Sequence, residues 1–206
     1  MIERIGRNHF FDQYAIKLQG TKIFWADGNH ENHADLQERM KAAPGQPLEI
    51  PVPGCFYMPR GSVLNLPDGR TAIFFGGAMS IDKEERTEGD SWWAGEVPTQ
   101  TDLEHARAQV QARSGRVDIV ISHTGPLAFL RQLPANKIDQ DRITDPTVAL
   151  LDVILDEFRP KQWFFGHFHL YAQGKNHGCE WQALSGEGLG GNWWVELGYK
   201  YISVKI

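Results

Sequence analysis

The chain has 206 residues, 41% of them hydrophobic and 23% charged, enough for one globular domain with a substantial core and too ordinary a balance for a disordered chain. No run approaches about 18 uninterrupted apolar residues, the start Met1-Ile2-Glu3-Arg4-Ile5 lacks an apolar signal core, and two cysteines, Cys55 and Cys179, make no disulfide framework. The formal net charge of −5 offers no general attraction to nucleic acid or an anionic membrane, and a reducing, cytoplasmic compartment is expected, with no membrane partner.

Phe11, Tyr14, Ala15 and Leu18 follow helical spacing ahead of Gly20, which predicts a helix over 7–19. Residues 22–26 read as a buried strand and 34–42 as a short helix. Pro44, Pro47, Pro51 and Pro53 make the next stretch irregular. Ser62–Leu66 and Arg70–Phe75 flank Pro67-Asp68-Gly69, a turn signal that predicts a β-hairpin. Gly76-Gly77 ends the second arm and lets the backbone come close to something. A polar loop over 79–97 carries Trp92-Trp93, which either wall a substrate pocket or pack locally; the charges from Lys83 to Glu88 read as solvated surface.

Thr101-Asp102-Leu103-Glu104 has the pattern of a capping box and opens a helix to about residue 113. A buried strand over 117–121 follows. Asp145-Pro146 is an N-cap and first-turn pair for a helix that ends before Pro160, and 162–165 is the next strand. In the tail, Cys179–Leu184 and Tyr199–Ile206 alternate as antiparallel strands do. Between them Gly186–Gly191 is a glycine-rich loop without the strand, helix and lysine of a P-loop. No repeat or linker divides residues 1–206, which read as a single α/β domain.

Three of the strand-like runs end in the same chemistry. Gly28-Asn29-His30-Glu31 follows the first, Ser122-His123-Thr124 the second, and Gly166-His167-Phe168-His169 the third. Ligands of open α/β sheets gather at the carboxyl ends of strands, so these ends predict one convergent site. Neutral imidazole is the commonest protein ligand of first-row divalent metals, and an amide adds a carbonyl oxygen. His123, His167, His169 and Asn29 are therefore the candidate metal ligands. His30 reads either as a histidine bonded within a tight turn or as a general acid that protonates a leaving oxygen. Asp27 and Glu31 flank it and either hold its ring or cap the following helix, with capping expected of Glu31.

This three-motif set resembles that of the calcineurin-like metallophosphoesterases. Phe74-Phe75-Gly76-Gly77-Ala78-Met79-Ser80, with the Trp92-Trp93 loop, resembles small bacterial and phage members of that family. The resemblance runs from about residue 22 to about residue 170. It implies a four-layer α/β/β/α sandwich with a di-metal centre, in which Asn29, His123 and His167 match ligands of the second metal, His169 a ligand of the first, and His30 the proton donor. The implied activity is hydrolysis of phosphomonoesters or phosphodiesters, of a small molecule or a nucleotide, with Mn²⁺ as the ion and Zn²⁺, Fe²⁺ or Ni²⁺ as alternatives.

The family pattern places Asp-x-His and Gly-Asp-x-x-Asp ahead of Gly-Asn-His, and the 27 residues before Gly28 contain neither. His9 and Asp12, on the predicted helix, are not promoted to replace them. An N-terminally incomplete version of the fold is therefore expected, with its first-metal position weakened most. A metal- or phosphate-binding remnant without turnover is the competing expectation. The missing strand also predicts an apolar sheet edge, covered by the N-terminal segment, by a second copy of the chain or by sequence upstream; an assembly protein pairing through that edge is a third reading.

Overall fold

A computed structural model describes residues 22–50, 53–113, 115–138, 140–186, 188–197 and 203–205. The helix predicted over 7–19, with His9 and Asp12, and most of the strand predicted over Tyr199–Ile206 lie outside the described residues.

Strand β1 (Ile23–Trp25) leads into helix α1 (His33–Met40). The proline-rich stretch is less irregular than its sequence predicts, because it contains β2 (Leu48–Glu49) and is followed by β3 (Cys55–Tyr57). β3 pairs parallel with β1 and antiparallel with β2 in a three-stranded sheet ordered β1-β3-β2. The predicted hairpin forms from β4 (Val63–Asn65) and β5 (Thr71–Phe75), closed at Gly69, whose φ of +85° suits a residue without a side chain. Helix α2 (Gln100–Gln111), β6 (Ile119–Ser122), α3 (Leu127–Leu130), α4 (Gln140–Thr144) and α5 (Pro146–Phe158) follow. β7 (Gln162–Phe165), β8 (Ala172–Asn176) and β9 (Cys179–Ala183) complete a six-stranded sheet ordered β4-β5-β6-β7-β9-β8. β10 (Trp194–Glu196) and β11 (Ser203–Lys205) form a separate antiparallel pair.

The capping box sits two residues earlier than predicted. Thr99 accepts from the third helical residue and Asp102 returns a bond to the Thr99 backbone, so α2 starts at Gln100. The Asp145-Pro146 start of α5 holds, with the Asp145 carboxylate accepting from Thr147 N at 2.8 Å.

β5, β6 and β7 run parallel, and their side chains alternate between two apolar clusters. Ile73, Phe75, Val120, Trp163 and Phe165 point to the cluster that also buries Leu103, Ala106 and Val110 of α2 and Val148, Leu151 and Leu155 of α5. Ala72, Phe74, Ile119 and Phe164 point the other way, onto Met58 and the flank of Phe24. A third cluster joins Leu36 of α1 to Cys55 and Tyr57 of β3, with Ile23 and Trp25 packed against it. Helices cover one face of the six-stranded sheet, and α1 packs on the smaller sheet, in a mixed α/β fold. Both faces of the central strands being apolar explains their near-continuous hydrophobic sequence. Among the described residues no helix is long and apolar enough to cross a membrane.

Candidate metal centre

Because β5, β6 and β7 are parallel, their carboxyl ends lie along one edge of the sheet. Main-chain bonds join the segments that leave this edge. Gly166 N donates to His123 O at 2.9 Å, and Gly77 N donates to Asp27 O at 2.9 Å, bringing the end of β5 to the segment after β1. The close approach predicted for Gly76-Gly77 is therefore to Asp27 and to the loop that follows. A Cβ on Gly76 would lie 2.2 Å from Asp27 Oδ1, and one on Gly77 2.4 Å from Glu96 O.

Asn29, His123 and His167 meet at this edge. His123 Nε2 lies 3.0 Å from Asn29 Oδ1 and 3.1 Å from His167 Nδ1. His123 Nε2 carries either a proton or a lone pair. With a proton it can serve the amide oxygen; with a lone pair it faces that oxygen lone pair to lone pair. A cation beside His123 Nε2 could take that lone pair together with the Asn29 oxygen and the His167 nitrogen that lie about it. Two ligand atoms about 2.1 Å from one ion and at right angles are about 3 Å apart. The observed spacings fit that arrangement. Burial, then His167 and more weakly His30 and His169, holds the His123 pKa well below its ordinary value, so its ring stays neutral and keeps a lone pair to donate.

Gly28 lets the chain cross close over this ring, since a Cβ there would stand 3.0 Å from His123 Cε1. His167 has φ +67° and His169 φ +52°, a left-handed turn that is strained for residues with side chains and commonly marks functional positions.

His169 stands apart from the trio. It is exposed, no hydrogen bond joins it to Asn29, His123 or His167 among the described residues, and it acts on His123 and His30 only through space. His30 is also exposed; its Nε2 lies 3.5 Å from Asn29 Nδ2. Partial burial and then Arg86 lower its pKa, opposed by Asp82 and Glu96. Neither flanking carboxylate holds the His30 ring. The capping expected of Glu31 belongs to Asn32, whose side chain accepts from Asp35 N at 3.0 Å. Glu31 is buried instead, and burial, with Asp27 nearby, pushes its pKa up to about 7.

Two buried polar networks under the site were not foreseen in the sequence, and in one of them Asp27 neither holds the His30 ring nor caps the helix. Asp27, fully buried, accepts from Tyr57 Oη at 3.0 Å and from Arg60 Nε and Nη2 at 2.9 and 2.6 Å. Arg60 also donates to the Gly95 and Glu96 carbonyls, and His33 Nδ1 lies 3.8 Å from Asp27 Oδ2. Glu96, fully buried, accepts from Ser80 N at 2.7 Å and from Ser80 Oγ at 2.6 Å, while Ser80 Oγ accepts from Asn29 Nδ2 at 2.9 Å. Trp92 is folded into the turn at 87–92, its backbone bonded to Thr87 and Gly89. Two open depressions, of about 400 and 510 Å³, are lined by none of these residues; the second, with Arg70, Arg116 and Lys161, opens at the opposite ends of the parallel strands.

Among the described residues no group of three or more His, Cys, Asp or Glu side chains gathers for a metal ion. The cluster that does form is two imidazoles and one amide, a neutral donor set. The chain belongs to the calcineurin-like phosphoesterase family, whose model matches residues 5–171. The family binds divalent metals and hydrolyses phosphoesters. No curated protein matches the chain.

Proposed function

We propose that this protein is a divalent-metal-dependent phosphoesterase, cleaving a phosphomonoester or phosphodiester of a small molecule or nucleotide with His30 as general acid. The observation that carries the reading is that His123 Nε2 has Asn29 Oδ1 at 3.0 Å and His167 Nδ1 at 3.1 Å. When bound there, a divalent cation, Mn²⁺ foremost, polarises a phosphoryl oxygen and acidifies water. Asn29, His123 and His167 hold it without bringing negative charge, which leaves the anionic substrate unopposed by a ligand carboxylate. In this reading His30, exposed beside Asn29, meets the leaving oxygen. Its lowered pKa rises again when a phosphate anion docks beside it, giving the protonated ring that general-acid transfer needs. His169, on the exposed side of the same edge, holds a second ion only if other donors join it.

The absence of a carboxylate from the trio favours a second reading, a metal- or phosphate-binding protein without turnover. One experiment separates the two. Purified protein is assayed with a chromogenic phosphodiester and Mn²⁺, with metal content measured in parallel. The first reading predicts turnover that is lost in both His30→Ala and His123→Ala. A bound ion without hydrolysis across several ester classes supports the second, and turnover that survives alanine at both positions overturns the first.

A further inference from the structure

The orientation of an asparagine is a choice between two nearly identical shapes. Presented to a cation, the Oδ1 end is a ligand and the Nδ2 end repels. We propose that Glu96 and Ser80 are positioning residues that set this choice at Asn29, by a hydrogen-bond relay whose direction is fixed by the charge of Glu96. The inference rests on the reading of Asn29, His123 and His167 as a metal centre.

Glu96, as a carboxylate, has only acceptor oxygens. It takes the Ser80 backbone N–H at 2.7 Å and the Ser80 hydroxyl hydrogen at 2.6 Å. Ser80 Oγ has then spent its single hydrogen and can only accept from its remaining neighbour, Asn29. Asn29 must therefore turn Nδ2 to Ser80, at 2.9 Å, which leaves Oδ1 facing His123 at 3.0 Å. Every link is buried, with Glu96 0% and Ser80 2% exposed, so water does not compete for these bonds. The Glu96 main chain is in turn anchored, since Arg60 Nη2 donates to Glu96 O at 2.9 Å.

Reversing the relay gives the test. In Glu96→Gln the Ser80 backbone N–H still demands the one remaining oxygen, so the new amide NH₂ faces Ser80 Oγ. The hydroxyl hydrogen is then free and points at Asn29, which must answer with Oδ1 and so present Nδ2 to the metal position. Outer-shell changes of this kind typically cost 10–100-fold in metal affinity. An aspartate at position 29 has oxygen at both ends, so the direction of the relay no longer matters. Asn29→Asp alone instead places two carboxylates on one serine hydrogen.

Mn²⁺ binding by calorimetry to the wild type, Glu96→Gln, Asn29→Asp and the double variant closes the cycle. We expect Glu96→Gln to weaken binding at least about tenfold. We also expect Asn29→Asp to strengthen binding by at least about tenfold more in the Glu96→Gln background than in the wild type, a non-additivity that a merely structural role for Glu96 does not produce. Ser80→Ala replaces Glu96→Gln in the same cycle should the latter not fold, with coupling of the same sign. Binding by Glu96→Gln equal to the wild type, or effects that add within about twofold, overturns the relay while leaving the metal centre standing. A wild type that binds no Mn²⁺ overturns both.

Discussion

Replacing Asp27 with alanine leaves the Arg60 guanidinium 9% exposed and without the carboxylate that both its Nε and Nη2 contact, and leaves the Tyr57 hydroxyl without its acceptor. The remaining carboxylate, Asp102 Oδ2, is 4.0 Å from Arg60 Nη1. Removing one partner of a buried pair typically costs about 3–5 kcal/mol, because the other charge stays buried without its close counter-charge. That is a large share of a native stability of about 5–15 kcal/mol. For a chain of this length each kcal/mol lowers the thermal midpoint by about 2–4 °C, so the expected fall is about 6–20 °C. Differential scanning calorimetry on the wild type and Asp27→Ala measures it. The double variant Asp27→Ala/Arg60→Met removes the stranded charge and is expected to recover most of the loss, since hydrophobic replacement of a whole buried pair is often neutral. A midpoint for Asp27→Ala within about 2 °C of the wild type would refute the reasoning, as would a double variant no more stable than the single.

Three further outcomes are expected. His33 is buried, and burial lowers its pKa to about 4, against the opposing pull of Asp27. Unfolding raises that pKa toward about 6.5, so the unfolded chain binds more protons between these values and stability falls as pH drops from 6.5 to 4, by about 3 kcal/mol in all. Urea titrations at several pH values should show His33→Gln losing that slope; an unchanged slope would contradict the assignment. Gly28→Ala sets a Cβ 3.0 Å from His123 Cε1, so the ring must move by a few tenths of an ångström. Mn²⁺ affinity should fall several-fold with little change in thermal midpoint, and unchanged affinity would show the ring position to be irrelevant. Gly77→Ala puts a side chain at φ +86° with its Cβ 2.4 Å from Glu96 O, and should destabilise by more than about 1 kcal/mol in chemical denaturation; a neutral result would count against the close packing there.

How much of this was legible in the sequence depends on the range of the interaction. The strands at 22–26, 117–121 and 162–165 announce themselves by local apolar runs, and β7 has its predicted bounds of 162–165. Pro67-Asp68-Gly69 and Asp145-Pro146 act on neighbouring residues, so the β4–β5 hairpin and the start of α5 could be read directly. The meeting of His123 and His167 was readable because each follows one of the parallel strands β6 and β7, whose ends align; Asn29 follows β1 of the other sheet and is brought to them by the Gly77–Asp27 main-chain bond. The Asp27–Arg60 and Asn29–Ser80–Glu96 contacts were not readable, since they join residues 33, 51 and 16 positions apart with no periodicity to announce them. Glu31 misled for a related reason: a carboxylate near a helix start suggests a cap, but Asn32 stands in the capping position and Glu31 turns inward. The short β2 was hidden by the prolines around it, which permit a two-residue strand.

Crystals grown with Mn²⁺, and anomalous scattering recorded from them, test the central claim most directly. The account predicts one strong peak bounded by Asn29 Oδ1, His123 Nε2 and His167 Nδ1, about 2.0–2.3 Å from each. A peak that engages only one of these three atoms, or none within reach of His123 and His167, would contradict it.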